Sequence, residues 1–505
     1  MKSILLLIVA LFPTIICAQK EDFIWIMGRG DNLDVDSVRK VNLISFPNDT
    51  FQVKLLYKSI PFFAVSASIC DSTGNLLCYT NGLNLYNNQH TVIPNGSGFQ
   101  SASQFPFGFP FPQSYLILPY PDSLNYQLLI DQTYIDIITD GVMNSLRYSL
   151  INMTSLLGNV TAKKVVFSQP LDTFNLGHLT VVRHGNGRDW WILTTRYQTN
   201  TFRRYLVSDK GLQNMGEQNI GDLVPNGVGY SAFSPDGQWY ASYNVYGYTS
   251  DPHAVIQYYR FDRCTGLLSE SYSRYFPTPD TEGYGGVAFS PSSRFMYVSR
   301  LRTIYQYDLE APDITDSEQV VAVTDSFKTA TGKLTPFYGL QLAPDGRIYG
   351  NVYGSNTQYL HVIDQPDLPG PACNVLQHAI FLPAQNFGTL PNLPYYRLWE
   401  WKGSPCDTLG TVSQYTPPLV PPDIRVWPVP AVDYLCFSAE GAWPDALDLA
   451  LYDPQGRVAG RWPGLRLMPY VTIQLDALPA GAYFYVLSRE DGSVVKSGRV
   501  MRTGG

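Results

Sequence analysis

The sequence predicts an all-β chain: a six- or seven-bladed β-propeller followed by a small C-terminal β-sandwich. A repeated motif carries most of this prediction. It reads AFSPDGQWYASY at 232–243, AFSPSSRFMYVS at 288–299 and QLAPDGRIYG at 341–350. From Phe233 to Phe289 is 56 residues, and from Phe289 to Leu342 is 53. Each copy is an apolar run, a tight turn and a second run rich in Tyr, Trp and Val. Pro235 pre-sets φ, Asp236 can bond its own backbone, and Gly237 accepts a positive φ. A hairpin returning every fifty-odd residues is the signature of a blade-by-blade architecture. Composition agrees, because charged residues make up only 15% of the chain while aromatics reach 14%, with 35 Tyr. That balance favours strands over charged helices.

In chain order, Lys2 and the apolar run Ile4 to Ile16 have the form of an export leader ending at Ala18, so residues 1–18 are expected to be removed. No later apolar run is long enough for a transmembrane helix. Residues 22–28, DFIWIMG, form a lone strand of the kind that completes a last blade and closes a ring. Strands at 41–57 surround the turn Pro47-Asn48-Asp49, and 62–80 is a hairpin with Gly74-Asn75 at its tip. The Phe-, Pro-, Gly- and Ser-rich stretch 99–113 has no period and is expected to be a long loop over a propeller face. Inner hairpins near 69–79, 115–130, 180–195, 232–243, 288–299 and 341–350 make six units, and 22–57 supplies material for a seventh. The propeller domain is therefore 19–405. Residues 406–425 hold four prolines and form a stiff linker, and 426–505 is a module of alternating strands.

The net charge of −7 comes without a basic cluster, which argues against nucleic-acid binding. Beyond the leader stand Cys70, Cys78, Cys264, Cys373, Cys406 and Cys436, with 15 possible connectivities in an oxidising compartment. Cys70 and Cys78 flank one turn, and Cys373 with Cys406 would close the end of the repeat region. No two Cys or His have zinc-ligand spacing, so neither a metal nor a cofactor is expected.

The local cluster with most chemistry is 183–191. His184, Arg188, Asp189, Trp190 and Trp191 can be read as a ligand platform, the indoles stacking on sugar rings. They can also be read as a hairpin turn at Asn186-Gly187 with a local Arg188–Asp189 pair and at least one indole in the core between blades, and this second reading is favoured. Adjacent strand residues point to opposite faces, so Trp190 and Trp191 cannot share a surface. His178 and His184 can lie on one strand as an acid–base pair. No nucleophile elbow, phosphate loop or His-Glu-x-x-His is present.

Two resemblances follow from longer blocks. VWPVPAVDYLCF (426–437), LALYDPQGRVA (449–459), LDALPAGAYFYVL (475–487) and SVVKSGRVM resemble the type A C-terminal sorting domain of Bacteroidetes type IX secretion cargo, although that family more often carries Asn where Val429 stands. This resemblance implies the type IX machinery as a partner and a chain exported through the inner membrane, then secreted or held at the outer cell surface. The blocks DSTGNLLCYTNG, LRYSLINM, VVRHGNGRDWWIL, FDRCTGLLS and LPNLPYYRL are similar to secreted Bacteroidetes β-propeller-like proteins of undefined function. The expected function is a non-catalytic module that binds a protein or a glycan. The alternative is a secreted propeller hydrolase, lactonase-like or glycan-active, with a dispersed site.

Overall fold

The computed structural model describes residues 19–29, 40–123, 125–137, 140–169, 172–225, 227–246, 253–276, 284–354, 357–407, 424–427, 434–439, 446–465, 471–475, 477–489 and 494–503. The expected leader and nearly all of the proline-rich linker lie outside these residues, as do parts of 426–505. Helical geometry among the described residues is confined to the 3-10 turns Pro47–Asp49 and Gly370–Cys373.

Six sheets follow one another along 65–386, each led by an inner strand: Val65–Cys70, Tyr115–Pro119, Thr180–Arg183, Val228–Phe233, Gly285–Phe289 and Phe337–Leu342. Each inner strand pairs antiparallel with the next strand, and the sheet grows outward by further antiparallel pairs. Hydrophobic clusters join neighbouring sheets. Trp191, Phe202, Tyr240 and Phe261 lock the third to the fourth, and Tyr297, Phe337, Ile348 and Cys373 the fifth to the sixth. This is the packing of blades around an axis.

The seventh sheet is built from both ends of the domain. Ile24–Gly28, Val41–Ser45 and Gln52–Leu56 form its outer part. The two-residue strand Leu390–Pro391 lies between the inner strands Phe337–Leu342 and Val65–Cys70, beside Ile24–Gly28, and pairs parallel with Val65–Ser66. Among the described residues of 19–405, these sheets form a seven-bladed β-propeller. The strand expected to stand alone at 22–28 is thus the first of three, and its blade is completed on the axis by residues 366 positions later in sequence, from Ile24 to Leu390.

The repeated turns form as their residues dictate. Gly237, Ser293 and Gly346 occupy equivalent positions with φ of 70°, 67° and 79°. Ser234 Oγ accepts the Trp239 amide at 3.0 Å, and Ser290 Oγ accepts that of Phe295 at 3.1 Å. Ser293 tolerates the left-handed region while its hydroxyl accepts the Asp236 amide of the preceding blade at 3.0 Å.

After Leu390–Pro391 the chain continues as a strap across the face that carries these turns. Asn392 donates through Nδ2 to the carbonyls of Tyr115 and Leu179, 3.0 Å each. Tyr396 Oη donates to Ile117 O (2.7 Å), Arg397 pairs with Asp22 (2.7 Å), and Arg263 donates to Trp399 O (2.6 Å). The strap ends in a disulfide between Cys406 and Cys264 of the fourth blade. The expected Cys373–Cys406 pair does not form. Cys373 is buried and free between the fifth and sixth blades, whereas the strap carries Cys406 to the third and fourth. Gly185 makes room for the bridge, since a Cβ there would fall 2.3 Å from Cys406 Sγ. Cys70 and Cys78 lie in one core cluster and are also free thiols.

In the terminal region, Ile424–Trp427, Tyr434–Ala439 and Val471–Gln474 form one sheet, and Leu447–Tyr452, Val458–Leu465, Gly481–Ser488 and Val494–Arg502 another. Residues of both, including Leu435, Phe437, Leu449 and Tyr485, share a single hydrophobic cluster.

A loop of 142 residues closed by Cys264–Cys406 restricts the unfolded chain by about 5 kcal/mol on the chain-entropy account. Cys406→Ser should therefore lower the unfolding free energy by about 2–5 kcal/mol in urea titrations, while Cys373→Ser leaves the disulfide content unchanged. Non-reducing peptide mapping that finds Cys373 in a disulfide would contradict this arrangement.

Candidate functional site

The two propeller faces differ. On the turn face the axis is covered by the strap, which roofs a small polar cleft of about 60 Å³ whose lining includes Asp22, Thr180, Ser231, Gln341 and Asn392. Burial pushes the Asp22 carboxyl up to about 6, with Arg397 beside it pulling the other way, and burial raises Glu21 as well. Deeper on the axis, Gly339 lies against the Tyr230 ring, where a Cβ would come within 2.9 Å. Tyr230 thus fills the space between the fourth and sixth inner strands.

The sequence-derived site residues belong to the turn face and to the core below it. Trp190 and Trp191 are 0% and 2% exposed. Trp190 packs under the Arg183 guanidinium and against Tyr396 of the strap. Trp191 lies on the opposite side of the sheet and donates Nε1–H to Arg263 O at 2.8 Å. Asp189 is buried and binds Arg188 at 2.7 Å, and Arg188 also reaches Asp122 (2.7 Å) and Asp209 (3.1 Å). His184 accepts the Asn186 amide at Nδ1 and places Nε2 3.2 Å from Cys264 O, a carbonyl to which it can only donate. Together these groups hold a turn, two blades and the strap, and neither indole offers a face to a ligand. His178 and His184 do not meet. They stand at opposite ends of Thr180–Arg183, and His178, bonded to Asn244 at 3.2 Å, is pushed down to about 4 by burial.

The opposite face, where inner strands begin and second strands end, collects half-buried aromatic pairs. Phe63, before the first inner strand, meets Phe387, before Leu390–Pro391, with ring centroids 4.3 Å apart. Phe111, before the second inner strand, stacks on Tyr134 of the strand beside it at 4.6 Å. Tyr284, before the fifth inner strand, stacks on Tyr353, at the end of the sixth blade's second strand, also at 4.6 Å. Tyr338 links that last pair to Tyr230 on the axis. All six paired rings are partly exposed. The 99–113 segment lies on this face as expected. Phe109 is buried, with its carbonyl accepting the Ala64 amide, while Phe107 is 55% exposed.

Tyr284, Tyr338, Tyr353 and Phe387 were not among the residues singled out from sequence, yet a signal exists. An aromatic followed by Gly stands at 107–108, 246–247, 284–285, 338–339, 349–350, 353–354 and 387–388, and three of these rings, Tyr284, Tyr353 and Phe387, belong to the pairs. Such rings stack on the apolar faces of sugars or on peptide side chains, and the phenols add hydrogen bonds. Burial and the neighbouring Tyr284 hold the Tyr353 hydroxyl above the ordinary range, so it stays protonated and can donate. Among the described residues, no group of three or more His, Cys, Asp and Glu side chains is placed to hold a metal ion.

No protein-family model matches the sequence, and no curated protein does. Solved structures give distant likenesses. A protein from Lactobacillus plantarum is 13% identical, over 72% of this chain and 98% of that one, with a TM-score of 0.43. A putative 6-phosphogluconolactonase from Bacteroides uniformis is 10% identical over 90% and 100%, with a TM-score of 0.36. The periplasmic gluconolactonase of Pseudomonas aeruginosa is 12% identical over 75% and 96%, with a TM-score of 0.33. At these values the likenesses carry no argument about chemistry.

The Asp22–Arg397 contact ties the strap to the first residues of the propeller and gives a pH test. The folded-state value of about 6 lies above the usual ~3.9, so folding favours the protonated acid. That contribution is complete below about pH 4 and is lost as pH rises through about 6. Asp22→Asn keeps an acceptor for Arg397 without the charge. In chemical denaturation of the full chain the variant should exceed the native protein by about 1–3 kcal/mol at pH 8, shrinking below about 1 kcal/mol at pH 4.5. A difference independent of pH would refute the assignment.

Proposed function

We propose that this chain is an exported, non-catalytic β-propeller that binds a protein or a glycan on its loop-bearing face. The observation that carries the reading is the set of three half-exposed aromatic pairs, Phe63–Phe387, Phe111–Tyr134 and Tyr284–Tyr353, drawn from the seventh and first, the second, and the fifth and sixth blades. Rings left partly in water close to the axis, when most aromatics of this chain are buried, are what a stacking surface requires. Export is supported by the leader-like residues 1–18 and by the Cys264–Cys406 disulfide, which suits an oxidising compartment. The blocks in 426–505 that resemble a sorting domain support a role for that module as the address read by the type IX machinery, leaving the propeller secreted or held at the cell surface.

Glycan-array and pull-down measurements with the full chain test the binding role. Phe111→Ala, Tyr284→Ala and Phe387→Ala should each weaken the captured ligand about tenfold or more while lowering the thermal transition only modestly and leaving the chain folded. Turnover of a lactone or glycoside panel, with no ligand captured, would replace this reading with the lactonase-like or glycan-active hydrolase.

Deleting 426–505 should leave the propeller folded but retained in the periplasm. Fractionation that finds the truncated chain at the surface in normal amount would remove the address role.

A further inference from the structure

The strap is attached by contacts that follow one another along the chain. In order they are the Leu390–Pro391 pairing, the Asn392 amide on Ser66 O (2.8 Å), the two Asn392 side-chain bonds, Tyr396 on Ile117 O, Arg397 on Asp22, Trp399 O under Arg263, and the Trp401 amide on Gly185 O (2.7 Å). Contacts in such a series resist tension poorly. A pull on residue 407 falls on the last contact first, and when that breaks it falls on the next. Each bond adds only about 1 kcal/mol net in water, and apart from the three made by Asn392 they are met one residue after another, together with the buried side chains of Leu393, Tyr396 and Leu398. The end of that process is serious. Once Leu390–Pro391 leaves, the seventh blade loses its inner strand and the ring opens where the two chain ends meet.

Cys406 stands at the outer end of this series, immediately before the proline-rich stretch, and is bonded to Cys264. Cys264 lies in the turn between His253–Asp262 and Leu267–Phe276, two ten-residue strands paired along most of their length in the fourth blade. A pull transmitted through the linker therefore passes across the disulfide into the fourth blade before reaching the strap.

We propose that Cys264–Cys406 is a tension clamp: it diverts force arriving from the C-terminal side into the fourth blade and so keeps the ring-closing strap from being peeled off. The value of such a clamp rests on the reading above, in which the terminal module holds the protein to a surface. The mechanical property itself does not depend on that reading and is tested apart from it.

The experiment stretches the full chain in an optical trap between a C-terminal handle and a biotin-acceptor peptide inserted after Lys210, in the exposed turn between Thr201–Ser208 and Gly211–Asn219. The oxidised native chain is compared with the Cys264→Ser/Cys406→Ser variant. The variant should show an extra release, at lower force than ring unfolding, of about 6 nm, the length of some 17 residues (390–406) at roughly 3.5 Å each. The native chain should lack it. Hydrogen exchange at rest should find the Asn392 and Trp401 amides protected in both proteins. An early release in the oxidised native chain, no early release in the variant, or loss of strap protection in the unstretched variant would each overturn the clamp. The last outcome would make the bridge an ordinary stabiliser. Loss of ligand binding or of surface delivery, by contrast, would bear on the function proposed above and leave the clamp standing.

Discussion

The closure of the ring is the constraint on which the rest of this structure depends. Seven sheets bury their apolar faces only against each other, so a gap at any one position exposes two of those faces at once. The seventh sheet fills that gap with three strands from the start of the domain and two residues from its end. Leu390–Pro391 alone offers little pairing energy. The strap compensates by hydrogen bonds to the first, second, third and fourth blades, so that the chain end is held by much of the ring it completes. Asn42 reinforces the same seam, since its side chain donates to Ala384 O and accepts the Ala384 amide, at 3.0 and 2.9 Å, as a strand edge would.

Closure made in this way gives the two faces different character. The turn face is spent on holding the ring together: Arg183, His184, Arg188, Asp189, Trp190 and Trp191 all bond or pack toward the strap, the disulfide or a neighbouring blade. Their density of charge and aromatic surface is that of a seam. Arg183 and Arg263, both pushed down to about 10 by burial, direct their guanidinium groups to carbonyls of the strap and of the adjoining turn. The loop-bearing face has no comparable crossing segment among the described residues, and its aromatic pairs meet solvent.

How much of this was legible in the sequence depends on how local each feature is. The turns at 234–237, 290–293 and 343–346 are written in consecutive residues, so the hairpins and their spacing could be read, and with them the all-β class and six of the blades. The 99–113 segment was also legible, because prolines and glycines break both helical and strand periods. The closure was not. Leu390–Pro391 is too short to show a period, and its partner lies 325 residues earlier, from Leu390 back to Val65. The disulfide was misassigned for a similar reason. A Cys373–Cys406 pair would close the end of the repeat region, whereas the strap, whose path no local pattern reveals, turns back toward the fourth blade. Trp190 and Trp191 show what alternation can and cannot give: it placed them on opposite faces correctly, but could not tell that strap and blade would cover both. The aromatic pairs needed knowledge of which chain ends converge, and the aromatic–Gly dipeptides marked only Tyr284, Tyr353 and Phe387 among the six rings.

The aromatic–Gly dipeptides also explain why one face could keep its rings in water without losing the fold. In Tyr338-Gly339 the glycine lets the inner strands approach until Tyr230 fills the axis, so the interior is sealed just below the surface rings. At Gly354 and Gly388, with φ of 62° and 110°, the backbone turns sharply after the ring, leaving Tyr353 and Phe387 at the rim instead of inside a strand. The seal and the rim are therefore set by different members of the same repeated pair. Beneath the Tyr284–Tyr353 pair the interior is closed by Tyr338 and Tyr230, whereas Phe111 and Tyr134 rest directly on the core, so the three pairs differ in how much of the fold each one supports.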